Sequence, residues 1–191
     1  MNISTKMIIA LTIVSLIAGF ALAFSYEFFK VKIADNAVKA LNESISAVIP
    51  GAVSKELIPS NEFTIYKVYD KPLDQQDKVL LGYAIVTYAS GYQGSIKILL
   101  SVTPDFTKII TFRVLEHSET PGLGGNIVNS DFISQYEGLS TEKEIKVIKG
   151  PSVKENNEIS AISGATISSK AVTKALNETL IKVKQIIEAN Q

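Results

Sequence analysis

The stretches VLLGYAIVTY at Val79–Tyr88, SIKILLSV at Ser95–Val102 and TKIITFRVLE at Thr107–Glu116 decide the fold. Each is rich in β-branched and aromatic residues, and short turn-forming segments separate them: Ala89–Gly94 (ASGYQG), then Thr103-Pro104-Asp105. Connections this short leave no room for a crossover, so consecutive strands pair antiparallel. Gly82 inside the first run predicts a bulge. Helical patterns precede and follow these runs. The expected class is therefore α+β: an antiparallel sheet flanked by helices.

Upstream, Phe63–Tyr69 (FTIYKVY) alternates as a half-buried strand does, and Lys71–Asp77 is polar loop. Before it, Ile33, Ala34, Ala37, Val38, Leu41, Ile45, Val48 and Ile49 recur at helical spacing until Pro50-Gly51 ends the pattern. Residues Met7 to Phe24 carry no charge over 18 positions. As a helix this run spans roughly 27 Å, close to the hydrocarbon thickness of a bilayer. Lys6 precedes it, and Tyr26, Phe28 and Phe29 follow as an interfacial aromatic belt would. The expected organisation is a cytoplasmic N-terminus at 1–6, a transmembrane helix at 7–24, a membrane-proximal helix and connector at 25–60, and one domain at 61–191. The basic head places that domain outside the cytoplasm, with the chain a single-pass protein of the cell membrane. Ala21-Leu22-Ala23 would suit a cleavage site, but the apolar run is longer than a usual signal core, which favours a retained anchor.

Downstream, His117-Ser-Glu119-Thr120-Pro121-Gly122-Leu123-Gly124-Gly125 is a loop whose backbone can approach a ligand closely. Ser130–Tyr136 reads as a short helix and Glu144–Ile148 as a brief strand. A final helix runs from Ile167 to Ala189, its buried stripe formed by Ile167, Ala171, Val172, Ala175, Leu176, Leu180, Val183 and Ile187. It is introduced by Ile162-Ser163-Gly164-Ala165-Thr166-Ile167-Ser168-Ser169, a hydroxyl-rich turn in which Ser163, Thr166 and Ser168 can accept from the first helix amides. Such a helix start suits a phosphate. Taken alone, it is also an ordinary N-cap. Tyr83, Tyr88 and Tyr92 are assigned to sheet and turn packing.

Composition removes several chemistries. The 19 basic and 19 acidic residues balance, so no field favours nucleic acid. There is no cysteine and one histidine, His117, which excludes disulfides, thiolate catalysis, cysteine-ligated clusters and multi-histidine metal sites. Redox chemistry in this chain must come from an organic cofactor. Pro121–Gly125 lacks the G-x-G-x-x-G spacing of a dinucleotide fold, and no Walker lysine occurs.

Two motifs together resemble one family. Ser163-Gly164-Ala165-Thr166-Ile167-Ser168 resembles the S/T-G-A-T-x-S/T signature of covalently flavinylated FMN-binding domains. His117–Gly124 is similar to the H-x-E-T-P-G-L-G segment that accompanies it. Gly91-Tyr92-Gln93-Gly94 resembles the approach to that segment, and Ile133–Gly138 the short aromatic helix after it. With one N-terminal span, the chain is similar to the G subunits of Rnf-type electron-transport complexes. That resemblance implies an FMN esterified through its phosphate to Thr166 by a flavin transferase with FAD as donor. It also implies electron relay between a membrane iron–sulfur centre and a neighbouring subunit's flavin, within ferredoxin:NAD electron transfer coupled to Na⁺ or H⁺ translocation. Partners would be the other membrane subunits and the lipid bilayer. Ser163, Gly164, Ala165 and Ser168 would surround the phosphate. His117 would hydrogen-bond near the flavin, and Gly122 and Gly124 would shape the backbone. Glu119 and Thr120 would contact the ring or cap the loop; Leu123 would touch the ring or pack in the core. No residue is expected to be catalytic and none to bind metal. The family has an acidic residue six positions before the acceptor, where this chain has Ser160, with Glu158 two positions earlier. Two other readings stay open: the related C subunit of the sodium-pumping NADH:quinone reductase, and a non-flavinylated assembly or adaptor subunit.

Overall fold

The computed structural model describes residues 2–189. It divides into two compact units, Met1–Asn42 and Glu43–Gln191. The expected segments 1–6 and 61–191 each reach residues (1, 190 and 191) outside those described.

Helix α1 spans Ile3–Val48. Its portion Ile3–Lys30 is long and apolar enough to cross a membrane, with mean hydropathy 2.6. At about 1.5 Å per residue, such a helix exceeds the ~30 Å of bilayer hydrocarbon. The large side chains there, among them Leu11, Leu16, Phe20 and Phe24, are exposed. The apolar run and the amphipathic pattern after it thus fall in one continuous helix, as expected of a membrane-proximal helix that continues from the span. Of the expected membrane-proximal stripe, Ile33, Ala37 and Val38 are exposed, Leu41 is half-buried, and only Ile45, Val48 and Ile49 are buried. The side chain of Ala34 lies outside the described residues. Gly51, at φ +85°, turns the chain out of the helix.

The second unit is built on a five-stranded sheet: β1 (Ser54–Ile58), β2 (Thr64–Tyr69), β3 (Leu80–Ser90), β4 (Ser95–Val102) and β5 (Ile109–Glu116). The strands lie in sequence order and every neighbouring pair is antiparallel. One row across it reads Ile58, Ile65, Ile85, Leu100, Phe112. All five are buried, because strand alternation sends this whole row to one face. The next row, through Ala84 and Ser101, faces the other way. There the last turn of α1 is tied on by Ser101 Oγ donating to Val48 O at 3.1 Å. The expected bulge is present: Val68 pairs with Gly82 and Tyr69 with Leu80, leaving Leu81 unpaired. A Cβ at Gly82 would overlap Val102 O.

Helix α3, Thr166–Ala189, covers the first face. Val172, Ala175, Leu176, Leu180, Val183 and Ile187 are buried against the sheet as the stripe predicts, whereas Ala171 is half-buried and Ile167 exposed. Hydroxyls inside this interface pair with one another: Thr179 with Thr87, and Thr173 with Tyr136, both at 2.7 Å. Burial pushes the Tyr136 phenol up. Between β5 and α3 the chain forms a 3-10 turn at Gly124–Val128, α2 at Ser130–Ile133 and a second 3-10 turn at Ser134–Tyr136. Phe112, Phe132 and Tyr136 meet edge to face, with ring centroids 5.0–6.4 Å apart. A parallel pair, β6 (Lys146–Ile148) with β7 (Glu158–Ser160), then leads into the turn before α3.

Candidate functional site

The turn before α3 is made by Gly164 at φ +75°, a conformation that penalises any β-carbon, and a Cβ there would also stand 3.2 Å from Leu123 Cδ2. The expected capping by Ser163, Thr166 and Ser168 does not occur. Ser169 closes the turn instead: its Oγ accepts from Ile162 N–H and donates to Ala165 O, both at 3.0 Å. Ser163 is exposed, Thr166 is half-buried, and Ser168 turns inward to donate to Glu119 Oε2. Among the described residues, the amides of Thr166, Ile167 and Ser168 find no acceptor. Three unpaired N–H groups at the positive end of a 24-residue helix are an anion site in waiting.

The loop after β5 approaches this helix start. Thr120 O accepts from Leu123 N–H at 3.2 Å and from Gly125 N–H at 2.9 Å, folding Pro121–Leu123 into a tight turn. His117 is exposed, and its Nδ1 accepts from Glu119 N–H at 3.2 Å. Glu119 is 4% exposed. Besides Ser168 Oγ, its carboxylate accepts from Gln93 N–H at 2.9 Å. Burial alone raises this carboxyl. The hydrogen bonds from Ser168 and Gln93, with the Tyr92 amide and His117 nearby, outweigh that and hold its pKa below the ordinary glutamate value.

These segments enclose a cavity of about 480 Å³ lined by Tyr92, Glu119, Thr120, Leu123, Gly124, Gly164, Ala165, Thr166, Ile167 and Ser168. That volume is in the usual range for a small-molecule site, about 300–1,000 Å³. The two motifs, more than 40 positions apart in sequence, thus form one wall-to-wall site. Ser163, His117 and Gly122 lie beside it without lining it. Two lining residues escaped the sequence reading. Tyr92, 69% exposed, was assigned to turn packing, and Ile167, 59% exposed, to the buried stripe of α3. The signal for Tyr92 was its place between Gly91 and Gly94. For Ile167 it was adjacency to Thr166. Of the other tyrosines, Tyr83 is packed in the core as expected and Tyr88 is exposed. Ser160 sits in β7, its N–H bonded to Gln135 Oε1 at 2.6 Å and its Oγ to Gly150 O at 2.7 Å. No cluster of potential metal ligands occurs among the described residues.

Residues 91–181 match the FMN-binding domain family. The chain is 31% identical over 180 residues to the G subunit of the ion-translocating oxidoreductase complex of Methanosarcina acetivorans, covering 92% of each chain. It is also 31% identical to the G subunit of the proton-translocating ferredoxin:NAD(+) oxidoreductase complex of Clostridium ljungdahlii, covering 91% of this chain and 88% of that one. Among solved structures, NqrC of Shewanella oneidensis shares the fold, with a TM-score of 0.54 at 21% identity over 68% of this chain and 66% of the other.

Proposed function

This chain belongs to the G-subunit family of ion-translocating oxidoreductase complexes, and from that premise we propose that it is a membrane-anchored flavoprotein that relays electrons through an FMN phosphoester-linked to Thr166. The observation that carries the reading is the position of Thr166. Its half-buried side chain lines a cavity of cofactor size at a helix start with three unpaired amides. The residues present fit the group. Thr166 would supply the ester oxygen, and the amides of Thr166, Ile167 and Ser168 would face the phosphate charge. Tyr92, Leu123 and Ile167 would offer apolar surface to the ring. Gly164 would keep the turn clear of it.

When bound, the flavin supplies the one-electron chemistry that this cysteine-free chain has no group to perform. The protein's part is to orient the cofactor, hold it and limit water around it. A covalent tether is useful on the outer face of the membrane, where a released cofactor is lost. The Ile3–Lys30 span, with Lys6 near its start, supports that placement of the domain, with the N-terminus cytoplasmic. A flavin transferase would act on the Thr166 hydroxyl, with FAD as donor. The partners are the other membrane subunits of the complex, carriers of iron–sulfur and flavin centres. The relatives that match nine-tenths of the chain are G subunits, which favours the ferredoxin:NAD complex, while the NqrC likeness is one of fold.

The test is in-gel fluorescence of the purified full chain co-expressed with a flavin transferase. Wild type should give a fluorescent band under denaturing conditions and Thr166→Val none. A dark wild-type band overturns the proposal in favour of the adaptor reading.

A further inference from the structure

Among the described residues Glu119 is the only buried charged side chain, and nothing in the electron-relay reading requires it to be a carboxylate. Two groups converge on its two oxygens: Gln93 N–H at 2.9 Å from the β3–β4 turn, and Ser168 O–H from the first turn of α3. Both are donors, and an ionised carboxylate is the side chain that only accepts. Its space is equally specified. A Cβ at Gly91 would stand 2.5 Å from Glu119 Oε1, and one at Gly124 would overlap Oε2 and lie 2.6 Å from Ser168 Oγ. The glycines on both sides of the carboxylate are thus the cradle that admits it.

We propose that Glu119 is a positioning residue, a latch that joins the β3–β4 turn to the start of α3 and so fixes the Tyr92 wall of the cavity relative to Thr166. Glu119 lines the cavity, but both of its oxygens accept from protein donors, so it acts on the cofactor by holding those walls together. Tyr92 is itself exposed, and the latched amide next to it is that of Gln93. The inference rests on the cavity being the FMN site.

The test uses the full chain in detergent, in two forms. In flavin-free protein, made without a transferase, amide hydrogen exchange is followed at Gln93. Glu119→Gln places an N–H₂ against donors and should speed exchange at that amide by about tenfold or more. Ser168→Ala breaks one arm while keeping the carboxylate, so it decides the matter if the Gln variant misfolds; it should accelerate the same amide, though less. In flavin-loaded protein, both variants should shift the visible circular dichroism and the midpoint potential of the flavin in one direction, and the double variant no further than Glu119→Gln alone. Unchanged exchange at Gln93 in both variants overturns the latch. Faster exchange with wild-type flavin dichroism and potential overturns the positioning role. A wild-type chain that takes up no flavin refutes the FMN reading, while the exchange data still decide the latch.

Discussion

Gly124→Ala puts the packing around Glu119 to a quantitative test. Gly124 is buried, and a Cβ there would overlap Glu119 Oε2, lie 2.6 Å from Ser168 Oγ and 3.1 Å from Glu119 Cβ. The carboxylate cannot retreat, because Gly91 closes its other side with Ile96 behind. The least costly response is to break the Glu119–Ser168 bond, a charge-assisted contact whose loss is worth about 1.5–3 kcal/mol. Alanine returns about 0.4–1 kcal/mol by restricting the unfolded chain, since φ at Gly124 is not positive. The net expectation is a destabilisation of about 0.5–2.6 kcal/mol. It is read as a fall in urea midpoint at constant slope, using flavin-free full chain in detergent. The mechanism makes a second demand. In a Glu119→Ala, Ser168→Ala background both obstructing oxygens are gone and only the residue-119 Cβ at 3.1 Å remains, so the added methyl should cost at least about 0.5 kcal/mol less than in wild type. A loss below about 0.5 kcal/mol in the wild-type background, or an equal loss in both, refutes the reasoning.

Glu119 also predicts a pH dependence. Its folded pKa lies below the unfolded value of about 4.3, so its contribution is complete above about pH 5 and is lost as pH falls through the folded value. Glu119→Gln should therefore lose stability less steeply than wild type between about pH 5 and pH 3; superposable slopes contradict this. Asp105, held low by bonds from Thr103 and Thr107, titrates in both proteins and cancels in the difference. In the core, Leu176 is fully buried under α3, and Leu176→Ala should cost about 2–5 kcal/mol in denaturant titration, against about 0.5 kcal/mol or less for the exposed Ile181→Ala.

The sheet was legible because its strands carry the signal in their own residues. Three β-branched runs joined by turns of a few residues allow little besides an antiparallel meander, and the row from Ile58 to Phe112 shows how alternation becomes one buried face. Where periodicity is short or mixed with charge it carries less. Ser54–Ile58 reads SKELI and Glu158–Ser160 has three residues, and both strands went unread. The continuity of α1 is legible because no proline occurs before Pro50 and the apolar run passes directly into the amphipathic pattern. In the site, motif spacing identified both segments of the cavity wall. Directions of single side chains were a different matter. Ser168 and Ser169 are adjacent and chemically alike, yet one reaches Glu119, 49 positions away, and the other closes the local turn. Ile167 obeys the helical spacing of the core stripe, but it stands in the first turn, where the helix borders the cavity.

The function proposed for this chain stands on the bond at Thr166. Tandem mass spectrometry of the proteolysed, transferase-matured full chain meets it head-on, by locating any added mass within Ile162–Lys170. The covalent reading predicts one FMN, less one water, on the fragment ions that contain Thr166, with the peptide unmodified in Thr166→Val. The same added mass on Ser163 or Ser168, or an unmodified peptide from wild-type protein, would contradict it.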